Sequence, residues 1–114
     1  MRIGELATRS GVSVRALRYY EEQGLLVPER SSSGQRHYPE AAVELVRFFQ
    51  QMYAAGLTSK NIAGLLPCYD AGHTDAQQRG MLRAERDRIR DRVAQLQDAL
   101  HRLDEIIAVT DTHP

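Results

Sequence analysis

The feature of this sequence that most constrains its fold is a heptad repeat of apolar residues toward its C-terminal end. From Ile89 onward the apolar residues recur at alternating steps of four and three, so they form one narrow stripe along a helix. With Leu82 upstream, the stripe consists of Leu82, Ile89, Val93, Leu96, Leu100, Leu103 and Ile107. A stripe this narrow, sustained over about 25 residues or roughly 38 Å of helix, predicts a coiled coil.

No other segment offers a helix of matching length, so we expect this helix to pair with a second copy of the chain. Folding back onto the preceding domain is the alternative. Arg86 occupies one position of the stripe, where a charged residue fixes the register of the pairing at some cost in stability. If the two helices pair antiparallel, Arg86 can instead pair with an acid such as Asp104.

The segment before this helix predicts a linker. Pro67 breaks helices, so a short helix that begins after Thr58 is expected to end at Leu66. A capping box with Thr74 as N-cap and Gln77 at N3 is expected to start the long helix. The expected organisation is a folded domain over residues 1–66, a linker over 67–74, a dimerisation helix over 75–109 and a short tail over 110–114.

The folded domain begins with two short helical patterns joined by a turn that contains Gly11. In the second pattern Ser13 is a good N-cap and Gly24 a usual helix stop. Leu17 and its neighbours at helical spacing share an apolar face, and the opposite face carries Arg15, Arg18 and Tyr19. This arrangement predicts a helix-turn-helix whose second helix enters the major groove of DNA. An ordinary helical hairpin is the alternative.

The next segment predicts a short hairpin, or wing, with small polar residues at its tip. Arg30 and Arg36 flank this tip, where they can reach the phosphate backbone or the minor groove. The alternative is a flexible loop whose charges only keep it solvated.

A second helix pair is predicted after the wing. Pro39 opens its first helix, over residues 40–55, with Phe48 off the apolar stripe and free to face a partner. The amide groups at the start of its second helix, together with Thr58, Ser59 and Lys60, form a candidate phosphate clamp. An ordinary capped helix explains this start equally well.

The formal net charge is zero, but the charge is unevenly spread. Residues 1–60 hold eight basic and six acidic residues, a net of +2, and residues 61–114 hold seven and nine, a net of −2. A local DNA-binding face is therefore compatible with a neutral whole. The single cysteine, Cys68, fits a reducing cytosol, and no apolar run is long enough for a membrane span or a signal peptide. We expect a soluble cytoplasmic protein without a membrane partner.

An ordered set of motifs in this chain resembles the MerR family of bacterial transcriptional regulators. The matching residues are Ile3-Gly4-Glu5-Leu6-Ala7, Ser13-Val14-Arg15, Leu17-Arg18-Tyr19-Tyr20-Glu21, Gly24-Leu25-Leu26 and Gly34-Gln35-Arg36-His37-Tyr38. The resemblance covers nearly the whole chain. It implies a mainly α fold in which a winged helix-turn-helix domain is followed by a second helix pair and a long C-terminal dimerisation helix, which forms an antiparallel coiled coil.

The resemblance also implies a homodimer that binds an inverted repeat in a promoter. Members of the family bend and untwist the spacer between the promoter hexamers in response to an effector, so that RNA polymerase engages both. The recognition-helix positions of the family match Arg15, Arg18, Tyr19 and Tyr20, and its wing positions match Arg36 and Tyr38. The alternatives are an architectural DNA binder or a coiled-coil interaction protein without effector sensing. An enzyme is not expected.

The effector is not specified by these motifs. Metal sensors similar to this chain carry several cysteines, and a soft-metal or iron–sulfur site needs at least two thiolates in most cases. We therefore expect neither a metal nor a cofactor. Cys68 is a candidate reactive thiol, but a small buried apolar residue is the favoured interpretation. Tyr69 and His73 are the other candidates for contact with a small-molecule effector.

Overall fold

The computed structural model describes residues 1–113, which form five α-helices and one two-stranded sheet. The elements in chain order are α1 (Ile3–Ser10), α2 (Val14–Glu22), β1 (Glu29–Arg30), β2 (Arg36–His37), α3 (Ala42–Ala54), α4 (Ser59–Ala71) and α5 (Ala76–Thr112). The chain divides into two compact units, with the second unit beginning at Asp75. The mainly α fold with a long C-terminal helix is confirmed. No helix in residues 1–113 is long and apolar enough to cross a membrane.

Local signals define both ends of α2. The Ser13 side chain accepts a hydrogen bond of 3.0 Å from the Ala16 amide, which confirms the predicted N-cap. Gly24 lies in the left-handed region at φ 74°, and the amide of Leu25 donates to the Tyr20 carbonyl at 2.9 Å. These two features form a Schellman motif, so the helix ends where glycine supplies the required backbone conformation.

The core of the first unit forms where α1, α2 and α3 meet. Its fully buried side chains are Leu6, Leu17, Tyr38, Val46, Phe49 and Ile62. The Tyr20 ring stacks on Tyr53 of α3 at 5.7 Å and meets Phe49 edge-on at 5.5 Å. Paired aromatic rings add to the free energy of simple burial, so they hold α2 firmly on α3.

The prediction that Pro67 ends the fourth helix is wrong. Helix α4 continues through Pro67 to Ala71, so most of the predicted linker is helical. A proline inside a helix loses one backbone hydrogen bond, but Tyr69 packs against Phe48 of α3 at 4.8 Å and favours the continued turn. The helix ends instead at Gly72, at φ 76°, whose amide donates to the Cys68 carbonyl at 2.8 Å.

The same contact corrects the expectation for Phe48. Its ring lies off the buried stripe of α3, as its sequence position predicts, but it is half-buried against Tyr69 of the same chain. The side chain that was expected to face a partner therefore stabilises the pairing of α3 and α4.

Helix α5 starts one residue later than the sequence predicts. Its N-cap is Asp75, not Thr74, and the capping box is completed by Gln78, not Gln77. Asp75 accepts from the Gln78 amide at 2.8 Å, and the Gln78 side chain accepts from the Asp75 amide at 2.9 Å. A carboxylate at the N-cap also interacts favourably with the helix dipole, which the threonine hydroxyl does not.

Helix α5 exposes its apolar stripe. The helix has 37 residues, which corresponds to roughly 55 Å. Leu96 is 60% exposed and Leu100 61% exposed, and the other stripe residues from Ile89 to Ile107 are about half exposed. The second unit by itself therefore leaves a long apolar surface in contact with water.

Two valines in the first unit provide a matched test of this core. Val46 is fully buried on α3, whereas Val27 is 75% exposed after α2. Val46→Ala removes two buried methyl groups, so the free energy of unfolding should fall by about 2 kcal/mol. Val27→Ala should change it by less than about 0.5 kcal/mol. Urea unfolding followed by circular dichroism measures both, and equal effects would contradict the core described above.

Candidate nucleic-acid interface

The outer face of α2 presents the side chains that the sequence predicts for it. Leu17 and Tyr20 are buried, whereas Arg15, Arg18 and Tyr19 are exposed. Because two buried residues fix the rotation of the helix about its axis, the two guanidinium groups and the phenol project together from one surface.

The wing is a two-stranded antiparallel hairpin, as predicted. Arg30 of β1 lies opposite Arg36 of β2, and the Ser31 amide donates to the Gln35 carbonyl at 2.8 Å. The Arg30 guanidinium donates to the Gly34 carbonyl at 3.0 Å, so it stabilises the hairpin tip. The two wing arginines thus have different surroundings, because Arg36 turns away from the tip toward α2.

Glu21 joins the wing to α2. One of its carboxylate oxygens accepts a hydrogen bond from the Tyr38 hydroxyl, and the other lies 2.9 Å from Nη1 of Arg36. The Glu21 side chain is only 13% exposed. Since one donor lies in β2 and the other follows it, this carboxylate fixes the wing relative to α2.

A groove of about 480 Å³ separates α2 from the wing. Arg18 and Arg36 line it together with Glu21 and Glu22. The groove is therefore not uniformly basic: two guanidinium groups and two carboxylates face the same space. A phosphate that enters it meets both signs of charge.

The prediction that the Tyr38 side chain contacts DNA is wrong. Tyr38 is 1% exposed, and its hydroxyl donates to Glu21 inside the first unit. Burial, and after it the hydrogen bond to Glu21 and the Glu21 charge, raise the pKa of Tyr38 to about 12. The phenol therefore stays protonated at ordinary pH and remains a donor. Tyr38 acts on the surface only by holding Glu21 in place.

Tyr20 is also a core residue for the most part. It is 7% exposed, and burial, with a smaller contribution from Tyr53, raises the pKa of its hydroxyl. Its ring serves the packing of α2, and a contact between its hydroxyl and DNA stays a prediction.

The start of α4 lies beside α2. The Ser59 hydroxyl is 2.5 Å from the Tyr53 hydroxyl and 3.4 Å from the Tyr19 hydroxyl. Thr58 caps α4 in a capping box with Asn61. Lys60 is exposed next to this cap. The candidate phosphate clamp and the outer face of α2 therefore belong to one surface, although they are separated by about forty residues in the chain.

Sequence reasoning missed three residues of this surface: Glu21, Tyr53 and Asn61. Asn61 could have been found, because it stands three residues after Thr58, the spacing of a capping box. Glu21 and Tyr53 carry no such signal, since their partners are distant in sequence.

The three candidate effector residues lie at the C-terminal end of α4 or just after it. Cys68 is half-buried, and its thiol donates to the Leu65 carbonyl at 2.8 Å. Tyr69 packs on Phe48, and His73 is exposed beyond the helix end. Within residues 1–113, no group of three or more His, Cys, Asp and Glu side chains could hold a metal ion.

Residues 1–67 match the family described as MerR HTH family regulatory protein. The chain belongs to this family. It is 31% identical over 108 residues to the HTH-type transcriptional regulator HmrR of Rhizobium leguminosarum bv. viciae. This match covers 94% of the chain and 84% of HmrR. These likenesses identify residues 1–67 as the DNA-binding domain of a MerR-type transcriptional regulator, not an enzyme.

Two further relatives match the chain over different lengths. The mercuric resistance operon regulatory protein of Bacillus cereus is 41% identical over 70 residues, but the match covers 60% of the chain and only 53% of that protein. The crystal structure of the transcription regulator PbrR691 from Ralstonia metallidurans in complex with lead(II) superimposes with a TM-score of 0.79 at 28% identity. That match covers 92% of the chain and 83% of PbrR691.

Arg18 provides the test of the α2 face. Arg18→Ala removes a guanidinium from the groove and should weaken binding to a duplex selected by the wild-type protein by about tenfold or more. Arg47→Ala is the control, since Arg47 is an exposed residue of α3 that pairs with Glu44 and does not line the groove. Fluorescence anisotropy measures both affinities. Equal losses for the two variants would exclude this face of α2 as the DNA contact.

Proposed function

We propose that the protein is a homodimeric regulator that binds an inverted repeat within a promoter and bends and untwists the spacer in response to an effector. RNA polymerase is the partner that then engages both promoter hexamers. The observation that carries this proposal is the presence, in one chain, of a recognition helix and a long helix with an unpaired apolar stripe. One recognition helix reads one half-site, so an inverted repeat requires two copies in a fixed relation.

The exposure of α5 supports the homodimer. Its apolar stripe follows the heptad spacing over most of the helix and is about half exposed along its length. A second α5 has the same stripe and the same length, so it can cover this surface completely. The stripe residues Leu82, Ile89, Val93, Leu96, Leu100, Leu103 and Ile107 are the proposed dimer interface.

The charge of α5 supports an antiparallel arrangement of the two helices. Residues 76–93 contain six arginines and three acids, a net of +3, whereas residues 94–112 contain one arginine and four acids, a net of −3. At 100° per residue, Arg83 and Arg90 flank the stripe on the same side as Asp104 and Asp111. Antiparallel pairing brings the basic half of one helix beside the acidic half of the other, and parallel pairing brings like charges together.

The response to an effector is proposed to work through the DNA shape. Smoothly bending a site by tens of degrees costs on the order of 1–6 kcal/mol. A regulator can supply this free energy only if its effector binds one setting of the two DNA-binding domains better than the other. The coiled coil sets the separation of the two DNA-binding domains, so a small change in the coiled coil changes the twist and bend of the spacer.

The end of α4 is the proposed effector-contact region. Cys68, Tyr69 and His73 lie there, and Tyr69 with Phe48 offers a pair of aromatic rings to a small organic molecule. PbrR691 was crystallised with lead(II), but a soft metal ion usually takes two or more thiolates, and with one cysteine per chain the proposed dimer would have to bring both Cys68 thiols to one place. The proposed effector is therefore a small organic molecule.

The dimer is tested at the centre of the stripe. Leu96→Glu places a carboxylate between two helices that would otherwise exclude water, so the variant should be monomeric and bind an inverted-repeat duplex at least tenfold more weakly. Sedimentation or light scattering measures the mass. Gln95→Glu adds the same charge one position away, on a side of the helix that faces away from the stripe, and should remain dimeric. A wild-type protein that is monomeric at micromolar concentration would refute the proposed homodimer.

The orientation is tested by reversing charges at one end of α5. Asp104→Arg with Asp111→Arg should weaken an antiparallel dimer, because four arginine pairs replace attractive pairs. Adding Arg83→Glu and Arg90→Glu should restore the wild-type dissociation constant. Asp98→Arg is the control, since Asp98 lies on the side of the helix opposite the stripe. A parallel dimer would tolerate the first pair of substitutions, and measured dimer dissociation constants therefore distinguish the two arrangements.

A further inference from the structure

Two side chains donate hydrogen bonds to the Glu21 carboxylate, and they differ in how far they are exposed to solvent. Tyr38 is 1% exposed and donates from inside the first unit. Arg36 is 51% exposed and stands at the edge of the groove between α2 and the wing. Glu21 can therefore keep its bond to Tyr38 while Arg36 turns to another anion.

The position of this pair determines which anion Arg36 can reach. Arg36 and Arg18 line the same groove as Glu21 and Glu22. A phosphate in that groove competes with Glu21 for the Arg36 guanidinium, since both are oxygen anions that accept hydrogen bonds from it. As long as no other contact holds a phosphate in the groove, the Glu21 carboxylate remains the partner of Arg36.

From this geometry we propose that Glu21 restrains the DNA affinity of the protein by holding Arg36 in an internal ion pair, which a phosphate must displace before this guanidinium contributes to binding. The inference rests on the proposed use of the α2–wing surface for DNA binding. Glu21 is a positioning residue: it touches no DNA itself and acts through Arg36.

Sequence-independent affinity for DNA scales with the number of phosphates that basic side chains neutralise. A guanidinium paired to a carboxylate does not count toward that number, and an unpaired carboxylate in the groove repels phosphates. The internal pair therefore lowers binding to random sequence. In a specific complex the contacts of Arg15, Arg18 and Tyr19 hold the backbone in place, so Arg36 can exchange partners.

The test compares two neutral substitutions on the same helix. Glu21→Gln removes the charge and keeps an oxygen that accepts from Tyr38. Glu22→Gln is the matched control, because it removes the same charge from the same groove, and the Arg36 ion pair is with Glu21. Anisotropy titrations at several salt concentrations use two probes, a mixed-sequence duplex and a duplex that the wild-type protein selects from a random pool.

Glu21→Gln should bind the mixed-sequence duplex about tenfold more tightly than the wild type, with a salt slope steeper by about one. Its affinity for the selected duplex should rise by at least as much but with an unchanged salt slope, because Arg36 already neutralises a phosphate in that complex and only the cost of breaking the ion pair is removed. Glu22→Gln should raise the first affinity only slightly and leave the slope unchanged. Adding Arg36→Gln to Glu21→Gln should abolish the gain, because the freed guanidinium is then absent.

Equal effects of Glu21→Gln and Glu22→Gln would overturn the proposal, since they would show that only the charge of the groove matters. A gain that survives the removal of Arg36 would overturn it as well. A wild-type protein that selects no duplex over mixed sequence would instead refute the proposed function. Thermal unfolding of each variant checks the fold, and Tyr38→Phe, which retains the ring, provides a second way to loosen Glu21.

Discussion

The packing of α2 against α1 and α3 is the interaction on which the rest of the first unit depends. Leu17 is fully buried, and the Tyr20 ring lies between Phe49 and Tyr53. These contacts fix both the position of α2 and its rotation about its own axis. The exposed arginines of α2, the groove beside it and the neighbouring start of α4 all take their geometry from that one packed face.

The acidic and basic side chains beside α2 partly cancel each other's charge. The chain as a whole is neutral, and the groove between α2 and the wing mixes carboxylates with guanidinium groups. A DNA-binding surface of this kind gains little affinity from charge alone, so shape and correct docking must supply the rest. This balance fits the function proposed above, because a very basic protein would bind DNA of any sequence tightly.

The comparison of sequence and structure separates two kinds of interaction. The Ser13 cap, the Gly24 helix end and the hairpin turn were predicted correctly, because each joins residues at most six positions apart. The capping box of α5 was displaced by one residue, since Thr74 and Asp75 are both good caps and only the folded backbone selects between them. The predicted end of α4 was wrong because the last turn is stabilised by the contact of Tyr69 with Phe48, which lies in another helix.

The sequence by itself determined the family, the order of the helices, the outward face of α2 and the heptad stripe of α5. These follow from periodicity and from short-range caps, which act within a few residues of the chain. Only the tertiary structure decided that Tyr38 is a core residue, that Arg36 pairs with Glu21 and that Ser59 meets Tyr19. Those contacts join residues 17, 15 and 40 positions apart. Each depends on how helices pack in space, which no local pattern specifies.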